Sequence, residues 1–275
     1  MHPSISAFPS DEFYGRALRD GTISPTGNIP ATLTPPQSRH LARRKSILGE
    51  IPSVLFVHHD NYEINRDRSK ANLEEMKIVV AILEDLLLMN PELRGRDIGI
   101  ISPYIAQTRM LNTMLKEDYA WAESFQDTLG EPRCHEVRDV EVKTVDGFEG
   151  REKEIIIFST VRNNSYGNIG FLADRRRMNV ALTRAKRGLF IVGSMTTLSK
   201  RLHGADVLDA EGEEMEKDVA KMVMHGSGDE WRKYIKFILA KEFFIELNRP
   251  IEYRCQEEMY EFEKVAEAAH LSLYA

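Results

Sequence analysis

An α/β fold, a parallel sheet with helices on both of its faces, is what this sequence predicts, and three observations predict it. Short runs of β-branched and apolar residues recur without polar alternation, as in Val54-Leu55-Phe56-Val57 and Ile155-Ile156-Ile157-Phe158. Such runs mark strands buried on both sides. Segments with apolar residues at helical spacing lie between them. From residue 53 onward the two kinds alternate, which is the rhythm of strand–helix–strand crossovers.

Residues 1–50 stand apart as an irregular, proline-containing segment expected to pack on the domain that follows. Pro25, Pro30, Pro35 and Pro36 argue against regular elements across 21–37, since each removes a backbone donor and fixes φ. The basic cluster Arg39, Arg43, Arg44 and Lys45 reads as solvated surface. A first strand is expected over 53–58. The helix after it spans 72–89, capped by Asn72, with Met76, Val79, Val80, Leu83, Leu86 and Leu87 at helical spacing. A strand over 97–102 and a helix over 106–116 follow. Strands over 140–145 and 154–161 are joined by the tight turn Asp146-Gly147-Phe148-Glu149-Gly150. An amphipathic segment over 176–186, a strand over 188–192 and a short helix near 196–202 complete a domain placed at 51–203. Beyond it, 204–229 reads as an acidic insertion or linker, rich in carboxylates over 206–218 and containing Gly226-Ser227-Gly228. Residues 230–275 read as a helical extension, amphipathic over 230–247 with Trp231, Tyr234 and Ile238 on one side.

At 275 residues, 42% hydrophobic and 29% charged, the chain has apolar matter for a sizeable core, which sets aside disordered and fibrous classes. Its 43 acidic and 37 basic residues leave a net charge of −6, so a polyanionic partner would have to be met by local charge. The two cysteines, Cys134 and Cys255, show neither metal nor disulfide spacing, as suits a reducing compartment. Met1-His2-Pro3-Ser4 opens no secretory leader, and no apolar run reaches the roughly 20 residues of a membrane span. The expectation is an intracellular protein, nuclear or cytoplasmic, without a membrane partner.

Three stretches put polar or glycine residues at strand ends, and working residues of parallel sheets sit at the carboxyl ends. They are Ser102-Pro103-Tyr104, then Thr144-Val145-Asp146-Gly147-Phe148-Glu149-Gly150-Arg151-Glu152-Lys153, then Arg175-Arg176-Arg177-Met178-Asn179-Val180-Ala181-Leu182-Thr183-Arg184. Each alone has an ordinary explanation: a strand stop, a turn, a dipole-favoured arginine. Cys134-His135 and His58-His59 lack the further ligands a thiol or zinc site needs. No metal site is expected in this chain.

In combination the stretches resemble the carboxyl-terminal motor domain of superfamily 1 helicases, in the group of the nonsense-mediated-decay helicase and senataxin. The likeness begins at Met1-His2-Pro3 with Ile5-Ser6, Phe8-Pro9-Ser10, Phe13-Tyr14 and Asp20-Gly21, and ends at Asn179-Val180-Ala181-Leu182-Thr183-Arg184-Ala185. It implies a RecA-like domain, with ATP held in a cleft between two such domains. Arg184 matches the arginine that reaches the phosphates, a charge worth about 10³–10⁵ in rate when positioned on the transferred group. Gly150 matches a close backbone approach to phosphate, and Glu152 the carboxylate near the nucleotide sugar. Ser102 and Thr144 match positions that contact the backbone of a bound single strand, with Pro103 and Tyr104 against its bases or sugars; Tyr104 reads equally as a core aromatic. Arg176 and Arg177 match a paired basic step beside the cleft. The sequence departs from the pattern at Arg175, where proline is frequent, and at Glu149, where glutamine is frequent and could donate as a carboxylate cannot.

Motors of this type also need a Gly-x-x-x-x-Gly-Lys-Ser/Thr loop and an acidic strand end for magnesium, and the 275 residues contain neither. The resemblance therefore implies the second motor domain of an ATP-dependent RNA or DNA helicase, lacking a P-loop of its own. ATP and Mg²⁺ would bind only with a complementary first motor domain, in cis or in trans, and the isolated chain is expected not to hydrolyse ATP. Its partner would be single-stranded RNA or DNA. Two other readings stay open: a non-catalytic nucleic-acid-binding or interaction module, and an inert product of a truncated reading frame.

Overall fold

The structure is a computed structural model that describes residues 1–18, 21, 23, 28–42, 52–200 and 229–247. Six strands make one parallel sheet: β1 (Val54–His58), β4 (Ile98–Ser102), β5 (Glu141–Thr144), β6 (Lys153–Ser159), β7 (Ala185–Gly193) and β8 (Phe244–Glu246). Their spatial order is β5-β4-β6-β7-β1-β8. A separate antiparallel hairpin pairs β2 (Ile64–Arg66) with β3 (Ser69–Ala71).

Alternation along the strands divides the interior into two cores. Leu55, Val57, Ile155 and Ile157 face one, while Val54, Phe56, Ile156 and Phe158 face the other. Because side chains alternate with period two, a strand with no polar face needs cover on both sides. The first core is closed by α3 (Leu73–Met89), α4 (Ile105–Lys116) and α5 (Tyr119–Leu129), the second by α1 (Pro3–Tyr14), α7 (Arg175–Leu182), α8 (Met195–Ser199) and α9 (Asp229–Ala240). The short helices α2 (Arg39–Ala42) and α6 (Glu131–Cys134) complete the described α-helices. The expected cap at Asn72 is present, its side chain accepting the Glu75 N–H at 3.0 Å. Trp231 anchors α9 by donating its indole N–H to the Leu172 carbonyl at 2.8 Å.

Two expectations are corrected. The first fifty residues are not irregular throughout, since Pro3–Tyr14 form a helix despite Pro9. Ile5 and Phe8 are buried in the second core, and the His2 ring accepts the Ser4 N–H at 3.2 Å; burial and capping together outweigh the one backbone donor that Pro9 removes. The helix expected over 230–247 stops at Ala240, and Phe244–Glu246 continue as a strand beside β1. Glu242 takes a positive φ of 56° and reverses the chain. Phe244–Glu246 thereby add a sixth strand to the sheet. Among the basic cluster, Arg39 is paired with Asp85 at 2.6 Å. Arg43, Arg44 and Lys45, the acidic stretch 206–218, Gly226-Ser227-Gly228 and the tail 250–275 lie outside the described residues. Among the described residues, no helix is long and apolar enough to cross a membrane.

Candidate functional site

The sheet sorts the singled-out residues onto two opposite edges. Ser102 and Thr144 end β4 and β5 and pair with each other in register. Gly150 and Glu152 precede β6, Arg184 precedes β7, and the Lys153 N–H donates to the Arg184 carbonyl at 3.0 Å. Since β6 spans 7 residues, the two edges lie about 20 Å apart at ~3.3 Å per residue. The expectation that all three stretches serve the carboxyl ends of strands thus holds for the first and fails for Gly150, Glu152 and Arg184. The loop after β5 runs back across the sheet, and α7 returns antiparallel to β7. Helix α7 consequently holds Arg176 and Arg177 near the carboxyl edge and delivers Arg184 to the amino edge.

At the amino edge, Gly150 has a φ of +74° and open space where a Cβ would stand. Its loop is pinned by Phe148, which is fully buried against Gly99: a Cβ there would come within 2.5 Å of the Phe148 ring. Phe148, in the middle of a motif that looks catalytic, is thus a packing anchor. Arg184 is part-buried; its Nε donates to the Val180 carbonyl at 3.1 Å and its Nη2 to Thr183 Oγ1 at 2.8 Å. Both acceptors are neutral, so neither compensates the guanidinium charge. Glu152 is exposed. The chain begins at this same edge, where the His2 N–H donates to the Lys186 carbonyl at 2.8 Å. A positive guanidinium, an unobstructed glycine backbone and a carboxylate fit the phosphate and sugar sides of a nucleotide. Among the described residues no group of three or more His, Cys, Asp or Glu side chains is gathered. Gly150→Ala should lower unfolding stability by about 1–2 kcal/mol, because an L side chain is strained at that φ. Urea denaturation measures it, and an unchanged midpoint would mean that the loop does not need glycine.

At the carboxyl edge Ser102 and Tyr104 are both buried. Ser102 is fully buried in an inner strand, its hydroxyl 3.4 Å from the Tyr104 N–H that it accepts. Tyr104 is the core aromatic: it is 4% exposed, it receives Arg162 Nη1 at 3.0 Å, and it donates to the Ile169 carbonyl at 3.4 Å. Burial pushes its phenol above the usual range. Pro103 is half-buried, and half-buried Thr144 uses its hydroxyl to accept the Gly147 N–H at 3.3 Å. Arg177 makes a bidentate pair with Asp146 at 3.0 and 2.9 Å, and that bond raises its pKa further above the ordinary arginine range. Arg176 is exposed. Arg175, the departure from the family pattern, ties helices together: it reaches the Glu12 carbonyl at 2.7 Å and the Glu230 carboxylate at 3.5 Å.

Sequence reasoning missed the polar hub beneath this edge. Glu75, fully buried, takes Ser159 Oγ and the Val161 N–H at 2.8 Å each, and lies 3.0 Å from His59 Nε2. Gln107 joins it by donating to Ser159 Oγ at 3.2 Å and to the Asn72 carbonyl at 3.1 Å. The one signal in the sequence was Asn72-x-x-Glu75, the spacing of a capping box, which gave no hint that the carboxyl group would turn inward to β6. His58-His59 thereby gains a structural role, with His59 inside the hub.

A parallel six-stranded sheet covered on both faces, with this division of its edges, defines an α/β domain of the RecA-like class. Residues 1–196 match a family model described as an AAA domain. The chain belongs to that family, and it is a superfamily 1 helicase domain. It is 38% identical over 202 residues to Probable helicase MAGATAMA 3 of Arabidopsis thaliana, covering 72% of this chain and 22% of that protein. It is 37% identical over 219 residues to Helicase sen1 of Schizosaccharomyces pombe, covering 76% and 11%. A Regulator of nonsense transcripts 1 homolog of Neurospora crassa is 35% identical over 202 residues, covering 73% and 16%. The chain thus spans less than a quarter of the length of each of these relatives.

Proposed function

We propose that this chain is the second motor domain of an ATP-dependent helicase that moves on single-stranded RNA or DNA. The observation that carries this reading is α7, which holds an exposed Arg176 toward one edge of the sheet and leads at its end to Arg184 at the other, whose acceptors among the described residues are neutral. One rigid helix can then report between a strand's phosphates and a nucleotide's. Gly150 and Arg184 would meet the phosphates of ATP and Glu152 its sugar, while a first motor domain supplies the P-loop and the ligands for Mg²⁺. ATP, when bound, supplies the phosphoryl group whose transfer to water drives the motor. Arg184 neutralises charge as it develops on that group. Arg176, Thr144 and Pro103 line the strand side, and contacts of this kind tolerate any base sequence. In this reading 1–50 packs on a motor domain over 51–203, 204–229 is an insertion or linker, and 230–275 is an extension whose first part completes the sheet.

The test is reconstitution. Purified alone, the chain should show no strand-stimulated ATPase, and activity should appear once a matching first domain is joined to it. Turnover of roughly 1–100 s⁻¹ from the chain by itself would overturn the reading. The chain alone should also bind a labelled oligonucleotide weakly, with affinity falling as salt rises by a log–log slope near −0.7 per phosphate contact.

A further inference from the structure

Tyr62, Tyr166 and Phe171 are exposed aromatics in loops that follow the carboxyl ends of strands. A buried ring and a guanidinium pack against Phe171. Phe171, in the 3₁₀ turn Gly170–Ala173, is 37% exposed, whereas Ile169 and Leu172 beside it are 5% and 4% exposed. The ring is held from two sides. The buried Tyr104 ring lies 5.7 Å away, centroid to centroid, and the Arg177 guanidinium sits over Phe171 at 5.4 Å. Both supports are tied by hydrogen bonds. Tyr104 is fixed through its hydroxyl by Arg162, whose Nε in turn donates to Glu63 at 2.8 Å. Arg177 is clamped by its bidentate bond to Asp146. The turn itself is locked by Gly170 at a φ of +50°, where a Cβ would lie 2.2 Å from Arg162 Nη1 and 2.6 Å from the Tyr104 hydroxyl. Tyr104, Phe171 and Arg177 therefore form a connected group running from the core to the surface, with the two rings tilted 57° to each other.

A preorganised π-face with a guanidinium on it suits a flat, aromatic group attached to an anionic backbone. Bases in a duplex are already stacked, so the fitting ligand is an unpaired nucleobase. Exposed Arg176 and half-buried Thr144 lie on the same edge, where phosphates of the same strand would pass. We propose that Phe171 and Arg177 together form a stacking step for one base of a bound single strand, with Tyr104, Arg162 and Glu63 as positioning residues behind it. The inference rests on the reading that this edge faces a strand, and it assigns the base contact to Phe171 in place of Tyr104.

The experiment uses the full chain and two fluorescein-labelled 15-mers, oligo-dT and a fully abasic strand of equal length, in low-salt anisotropy titrations. Wild type should bind oligo-dT more tightly than the abasic strand. Phe171→Ala should lose about fivefold or more in affinity for oligo-dT, the scale of one base stacked on an aromatic ring, with its affinity for the abasic strand unchanged. Phe171→Trp should restore the difference. If Phe171→Ala binds oligo-dT as wild type does, or weakens both strands equally, the stacking step is wrong while the strand reading survives. If wild type binds neither strand, the strand reading falls and this inference with it. Circular dichroism verifies folding, and should the alanine variant unfold, Phe171→Leu keeps apolar bulk without a π-face and is held to the same criteria.

Discussion

Arg184→Ala, placed in a protein with a complete ATP site, is expected to lower steady-state hydrolysis by between tenfold and roughly 10³–10⁵-fold, with strand affinity little changed. Within the domain the guanidinium bonds one backbone carbonyl and one neighbouring hydroxyl, each bond worth only about 1 kcal/mol, so folding should survive. Arg184→Lys should not rescue the rate, because an ammonium is a point charge that cannot present a planar fork to phosphate oxygens. Stopped-flow phosphate release reads the rate, and anisotropy reads the strand affinity. A fall smaller than tenfold, or about 1.4 kcal/mol, would show that this guanidinium is not aimed at the reacting phosphate.

Glu75→Ala is expected to have the largest effect on stability, a loss of about 3–5 kcal/mol. It strands the Ser159 hydroxyl and the Val161 N–H inside the protein and takes away the carboxyl group beside His59. Val161 adds to the cost, since a β-branched residue at a φ of +69° is held there by its bond to Glu75. At about 2–4 °C per kcal/mol for a domain of this size, the melting midpoint should drop by roughly 10 °C. Glu75→Gln, which keeps shape and one acceptor, should lose less. Equal midpoints for wild type and Glu75→Ala in thermal melts would rule out a stabilising hub.

The strands that could be read in advance were those whose physics is local. Val54 to Val57 and Ile155 to Phe158 are apolar at every position, and no arrangement but a doubly covered strand disposes of them. Phe244–Glu246 escaped because the helical pattern of α9 runs straight into it, and what ends the helix is a single backbone reversal at Glu242. At the candidate site, the identity of the polar residues was legible and their exposure was not. Tyr104 is buried by residues roughly sixty positions later in the chain, Arg162 and Ile169, and no spacing rule carries that information. Glu75 illustrates the same limit, since its partners arrive from β6 and from beyond β1.

The pairing of β1 with β8 joins Phe56 to Phe244, residues far apart in the chain. Until the segment carrying Phe244 arrives, one side of β1 presents open amide and carbonyl groups along a run of four apolar residues, the sort of margin that recruits other chains into unwanted sheets. During synthesis this margin stays open while nearly two hundred residues are added, and closing so long a loop is slow compared with local helix formation. The short strand Phe244–Glu246 therefore acts as a seal as much as a sixth member. Its late arrival makes the interval before translation of this segment the period in which the domain is most prone to aggregate.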